Sequence, residues 1–188
     1  MTSRSALRTI ASRLRASAAG LALGVLVLEP GQGACATSLK DIQVGIRGVE
    51  FLTQPPRGQV PVAIIADGRS KVSQQDAAAI MGWLVSVGHG AKVELIPEVV
   101  DIADLASAQP YRVAIVASGL EASFARIGDY ARAHGTLTIT ADLNCVRLGN
   151  CVLGVSTEPG VEVLLSRQAS QAAGVEFVRA FRMMVKEY

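Results

Sequence analysis

Four short runs rich in Val, Ile and Leu recur through the middle of the chain, and stretches with helical or turn character separate them. They are VPVAIIA (60–66), KVELI (92–96), YRVAIVA (111–117) and TLTIT (136–140). The first and third are almost unbroken apolar runs, so both faces of those strands must be covered. Antiparallel sheets with one wet face read instead as alternating apolar and polar positions. Buried strands alternating with helices predict a parallel sheet with helices on both sides.

The segments between the runs fit that reading. From Ser73 to Val87 the chain is expected to be helical: Ser73 can cap, Asp76 stands where a capping box needs an acid, and Ile80, Leu84 and Val87 recur at helical spacing. Gly88, His89 and Gly90 stop it, and Pro97 ends the second strand. A short helix is expected over 100–107 and a longer one over 120–133, closed by His134 and Gly135. After residue 140 two strands, 152–156 and 161–165, flank the turn signal Glu158-Pro159-Gly160. Helical segments over 168–173 and 175–186 close the chain. The fold class is α/β: a mixed, mostly parallel sheet flanked by helices, with a C-terminal β-hairpin and a closing helix. Residues 37–59 form an apolar-patterned lead-in, which ends in the turn signal Gln54-Pro55-Pro56-Arg57-Gly58.

The N-terminus has a different character. Arg4, Arg8, Arg13 and Arg15 precede an apolar run over 16–28, and no acid occurs before Glu29. The run is about 13 residues, short for a membrane span. Small residues follow, and Ala34-Cys35-Ala36 has the small-x-small pattern of a signal-peptidase site before Thr37. These are the parts of a secretory leader, so residues 1–36 are read as a signal peptide and 37–188 as one domain. Two other readings stay open: lipidation at Cys35, for which Gln32 is a poor neighbour, and a mitochondrial transit peptide. Export places the protein in the periplasm.

Cleavage there changes the charge. Taking the four arginines and Glu29 from 18 basic and 16 acidic residues leaves 14 against 15. A net charge near −1 provides no basic stripe for nucleic acid. Two cysteines remain, Cys145 and Cys151, in CVRLGNC. In an oxidising compartment such a pair is most simply a disulfide. A zinc site needs four ligands, and His89 and His134 are isolated. A redox-sensitive bridge stays open, though a thioredoxin-type switch has two intervening residues rather than five. No metal or cofactor is implied.

Several phrases resemble the YfiR-like family of periplasmic proteins. TLTITAD (136–142) is similar to its strand end, RLGNCVLGV (147–155) to its glycine-rich loop and apolar strand, and VEVLLSRQASQAAGVEF (161–177) to its strand and Ala-rich helix. FLTQPP (51–56) and VPVAIIADG (60–68) stand where the family has an aromatic-proline element and its first strand. The resemblance implies an exported regulator that docks on the periplasmic domain of a membrane signalling protein, a diguanylate cyclase, and represses it. Family members often carry a further cysteine pair joining the first and third strands. Here only Cys145 and Cys151 remain, so redox control is weakened.

The sequence contains no GxGxxG, P-loop or GxSxG, so no catalytic residue and no enzyme activity is expected. Asp67, Ser118 and Asp142 each follow an expected strand, where open α/β sheets bind ligands. They could line one crevice of a solute receptor, or they could simply make turns and caps. In the last helix Phe177, Val178, Phe181, Met184 and Val185 form a stripe read as core, with Arg179, Arg182 and Lys186 opposite. That basic face is either solvated or meets an acidic partner. Trp83 is expected against the sheet, and a homodimer is left open.

Overall fold

A computed structural model describes residues 37–87 and 93–188, which lie within one compact unit. The leader, Cys35 and the Gly88-His89-Gly90 stop lie outside the described residues.

Seven strands make one sheet in the order β2-β1-β3-β4-β5-β6-β7. β1 (Gly58–Ala66) pairs in parallel with β2 (Val93–Asp101) on one side and with β3 (Val113–Val116) on the other. β4 (Leu137–Thr140) and β5 (Leu153–Ser156) continue the parallel part. β6 (Glu162–Leu165) is antiparallel to β5, forming the expected hairpin, and β7 (Lys186–Glu187) runs parallel to β6 at the edge. The α/β class with a mixed, mostly parallel sheet is therefore what the chain forms.

The apolar runs work as period-two elements with both faces covered. Val62, Ile64, Val113 and Ile115 enter one core with Ile80 and Leu84 of α2 (Lys71–Val87) and Ile42 of α1 (Leu39–Arg47). Ala63, Ile65, Ala114 and Val116 enter the opposite core with Phe124, Ile127 and Tyr130 of α3 (Phe124–His134) and Val146 of α4 (Leu143–Arg147). Threonines in TLTIT fit the centre of this sheet because each hydroxyl finds a partner. Thr138 Oγ1 accepts from Val152 N at 2.8 Å, and Thr136 Oγ1 donates to Tyr111 O at 2.7 Å. Gly135 ends α3 in the left-handed conformation, φ 67°, as a C-cap glycine should.

Several elements differ from expectation. The lead-in is a helix, α1, capped by Ser38, whose Oγ accepts from Lys40 N, with Asp41 returning to Ser38 N. It can lie close on the sheet because residue 45 is glycine; a Cβ there would collide with Ile139 Cγ2. α2 begins two residues before Ser73, and the hydroxyl of Ser70 accepts from Ser73 N. β2 runs through Pro97 to Asp101 instead of ending there; an edge strand tolerates a proline whose missing N–H faces outward. The expected helix over 100–107 is therefore the end of β2 and one 3-10 turn, Leu105–Ser107.

At the C-terminus α5 (Arg167–Ala172) matches its segment, but the closing helix is only α6 (Arg179–Met184). Phe177 is extended and bridges to Leu52. Phe177 and Phe181 are core as expected, stacked at 4.8 Å, whereas Met184 is 66% exposed and Val178 36%. Trp83 is half-buried against the first core.

Cys145 and Cys151 are bridged, with Cα atoms 5.2 Å apart, and both are fully buried. Cys145 O accepts from Asn150 N and Cys151 N, so hydrogen bonds and bridge close the same loop between α4 and β5. Thiol exchange needs access to a sulfur, and burial removes it. The geometry is that of a staple. Replacing both cysteines by alanine should lower stability by about 2 kcal/mol through lost loop-closure restraint; an unchanged urea midpoint would refute a stabilising role.

Candidate functional site

In the strand order 2-1-3-4-5 the chain leaves β1 in opposite directions, and ligands of such sheets bind where the carboxyl ends diverge. Here that place lies between the ends of β1 and β3, where Asp67 and Ser118 stand. The structure fills it with this chain's own residues.

Asp76 is the centre. It is on α2 but is only 6% exposed, because it shares the inward stripe with Ser73, Ala77, Ile80 and Leu84. Its Oδ2 accepts from Ser118 N at 2.7 Å, Ser118 Oγ at 2.9 Å and Thr37 Oγ1 at 2.6 Å. Its Oδ1 accepts from Thr37 N at 3.1 Å. Thr37 is 8% exposed, and its Oγ1 also lies 3.2 Å from Ser118 Oγ. Further along the same edge, Asp41 Oδ1 accepts from Thr157 N, just past β5, at 2.8 Å. The segment from Thr37 to Asp41 thus reaches from the end of β3 to the end of β5 along the carboxyl edge of the sheet.

The three expected crevice residues have different fates. Ser118 is part of the Asp76 cluster. Asp67 makes a turn: its Oδ1 accepts from Arg69 N at 2.8 Å, and its own N–H donates to Ser73 Oγ at 3.0 Å. Asp142 caps α4 by accepting from Asn144 N at 2.8 Å. The turn-and-cap reading therefore describes Asp67 and Asp142. Asp101 holds the β1 turn from the neighbouring strand, accepting from Gly68 N at 2.9 Å. Thr37 and Asp76 were missed as site residues. The signal for Asp76 was an acid on the apolar stripe of a helix, which the capping-box reading hid.

The second candidate region is the C-terminal surface. Arg179, Arg182 and Lys186 are exposed. Arg182 is already paired with Glu187, Nε to Oε1 at 2.5 Å and Nη2 to Oε2 at 3.2 Å. These bonds hold the Glu187 carboxyl below the usual range. Lys186 reaches Glu162 at 3.4 Å, and Arg179 forms no ion pair among the described residues. Beside these charges stand Met183, 77% exposed, Met184, 66%, and Tyr188, 56%. His134 packs its ring on Tyr130 at 4.5 Å, a structural place at a helix end. No helix among the described residues is long and apolar enough to cross a membrane.

No family model and no curated protein matches the sequence. Solved structures do share the fold. One is a conserved domain protein from Vibrio cholerae O1 biovar El Tor str. N16961, with 13% identity, TM-score 0.56, and 80% of this chain covered against 60% of that one. Another is the ABC domain in complex with L-Trp from Streptococcus pneumonia, with 9% identity, TM-score 0.55, and 77% covered against 59%. The chain thus spans about three-fifths of the length of either neighbour, and at such identities the likeness shows the fold alone.

Asp76→Ala leaves the Ser118 N–H and the Thr37 groups without their acceptor and should cost about 3 kcal/mol. Asp142→Ala removes one helix cap and should cost about 1 kcal/mol. Chemical denaturation of the two variants checks the ranking; equal losses would mean that Asp76 is no more than another turn residue.

Proposed function

We propose that this protein is an exported periplasmic regulator that docks on the periplasmic part of a membrane signalling protein, a diguanylate cyclase, and represses it. The observation that carries this reading is a contrast between two surfaces. The crevice at the strand crossover is taken up by Thr37, Asp76 and Ser118, while large apolar side chains stand in solvent at the C-terminus. A solute receptor needs a concave pocket with converging polar groups; a docking protein needs exposed apolar surface.

The family resemblance supplies the class of partner, and the buried disulfide suits an exported chain. Methionine is well suited to a contact surface because its unbranched, polarisable side chain adapts to a partner. Arg179, which forms no ion pair among the described residues, and the basic groups near it add attraction to an acidic patch, which raises the rate of encounter more than the affinity. In this mechanism docking holds the sensor domain in a state that keeps its cytoplasmic catalytic domains from pairing. Release raises cyclic di-GMP, and the chemistry belongs to the partner.

The second reading, a solute-binding receptor, draws on the neighbour that holds L-Trp. A groove of about 430 Å³, lined by Ala77, Met81, Val99 and Asp101 among others, lies beside the crossover on the β2 side. Its lining is mostly apolar and offers few groups to orient a polar solute.

Cross-linking in intact cells, followed by mass spectrometry, tests the proposal. The tagged protein should recover a membrane protein bearing a cytoplasmic cyclase domain. Met183→Asp with Met184→Asp should reduce that recovery at least tenfold while leaving the melting temperature unchanged, since both side chains are exposed. Recovery of the protein with no membrane partner would overturn docking, and equal recovery with the double variant would move the contact elsewhere.

A further inference from the structure

The Asp76 carboxylate is buried, and its four hydrogen bonds all come from neutral donors: two from Thr37 and two from Ser118. No Lys, Arg or His forms an ion pair with it among the described residues. A buried carboxylate is costly unless a cation or a full set of hydrogen bonds accompanies it. One of its donors is the backbone nitrogen of Thr37, 3.1 Å from Oδ1. In the sequence that nitrogen belongs to the bond that follows the small-x-small site Ala34-Cys35-Ala36.

We propose that leader removal at the bond between Ala36 and Thr37 creates the counter-ion of Asp76, an α-ammonium held inside the fold. In the step a signal peptidase adds one water across the bond. The Ala36 carbonyl takes the hydroxyl and leaves as a carboxylate, and the Thr37 nitrogen takes up protons to become –NH3+. One neutral N–H donor becomes a charged group with three. Charge-assisted bonds are about twice as strong as neutral ones, and an α-amine is largely protonated at neutral pH even before a carboxylate favours it. The Thr37 hydroxyl on Oδ2 and Ser118 beside it complete an amine-binding site whose ligand is the chain's own N-terminus. Processing therefore does two things: it neutralises the charge beneath the sheet edge and locks the segment that covers the crossover crevice. The inference rests on export of the chain and not on any partner.

The full-length chain, leader included, is expressed in a Gram-negative host, and the periplasmic product is analysed by intact mass and N-terminal sequencing. The product should begin at Thr37. The folded product is then methylated with formaldehyde and cyanoborohydride near pH 7, where an α-amine ordinarily reacts faster than a lysine, and each site is read by peptide mass spectrometry. Exposed Lys40 and Lys71 should label in the folded protein, whereas Thr37 should label at least tenfold more slowly than in the urea-unfolded chain. Asp76→Asn should release that protection. If this variant does not accumulate, the comparison of folded with unfolded wild type decides alone. A mature N-terminus at any other residue, or a Thr37 amine that labels equally fast folded and unfolded, would overturn the proposal. Neither result depends on whether a cyclase is recovered by cross-linking.

Discussion

A carboxylate set on the inner face of a helix beneath the carboxyl edge of a parallel sheet has to be satisfied by its surroundings, and Asp76 imposes that demand here. Its four bonds join three parts of the chain that are far apart in sequence: Thr37 before α1, Asp76 on α2 and Ser118 after β3. Each member is held by something else. Thr37 leads directly into the capped start of α1, which packs on β4 and β5. Asp41 of the same helix turn reaches the end of β5. The strand crossover, where doubly wound sheets usually receive a ligand, is thereby closed by local chemistry. Removing the Asp76 carboxylate would take away the acceptor that Thr37 and Ser118 share.

With the crossover closed, the exposed apolar side chains of the C-terminus, Met183, Met184 and Tyr188, are the surface left for contact. Past α5 the chain turns at Gly174, φ 62°, and is extended through the buried Val175 and Phe177. It then forms a helix of six residues, too short to bury more than Phe181. Its last two residues, Met183 and Met184, are on the solvent side, and the last residues of the chain add a short edge strand. A helix of under two turns has room for one anchor in the core, and its remaining apolar side chains are left for contact with something else. The ion pairs of Arg182 and Lys186 with Glu187 and Glu162 lie at the surface, where such pairs contribute little to stability.

The legible part of the fold was the part set by periodicity. VPVAIIA, YRVAIVA and TLTIT announced a covered parallel sheet because both faces of each strand had to be apolar or internally bonded. Gly135 announced the end of α3. What escaped the sequence depended on tertiary context. Pro97 reads as a strand terminator until β2 is known to be an edge. Residues 175–186 keep helical spacing, but the Leu52 bridge draws Phe177 into an extended path. Asp76 looked like a cap because an acid three residues after a serine usually is one; only the position of Thr37 shows that it faces inward. Asp67 and Asp142 followed the commoner rule and make a turn and a cap.

The crossover crevice is closed from within by Thr37, Asp76 and Ser118. Native-state hydrogen exchange at the Ser118 amide tests it most directly, because that N–H donates to Asp76 at 2.7 Å and would face solvent in an open crevice. With the crevice closed, this amide should exchange as slowly as those of β3, through near-global unfolding. Exchange at the rate of an exposed loop, or a rate slowed only when a small solute is added, would show an open site and contradict it.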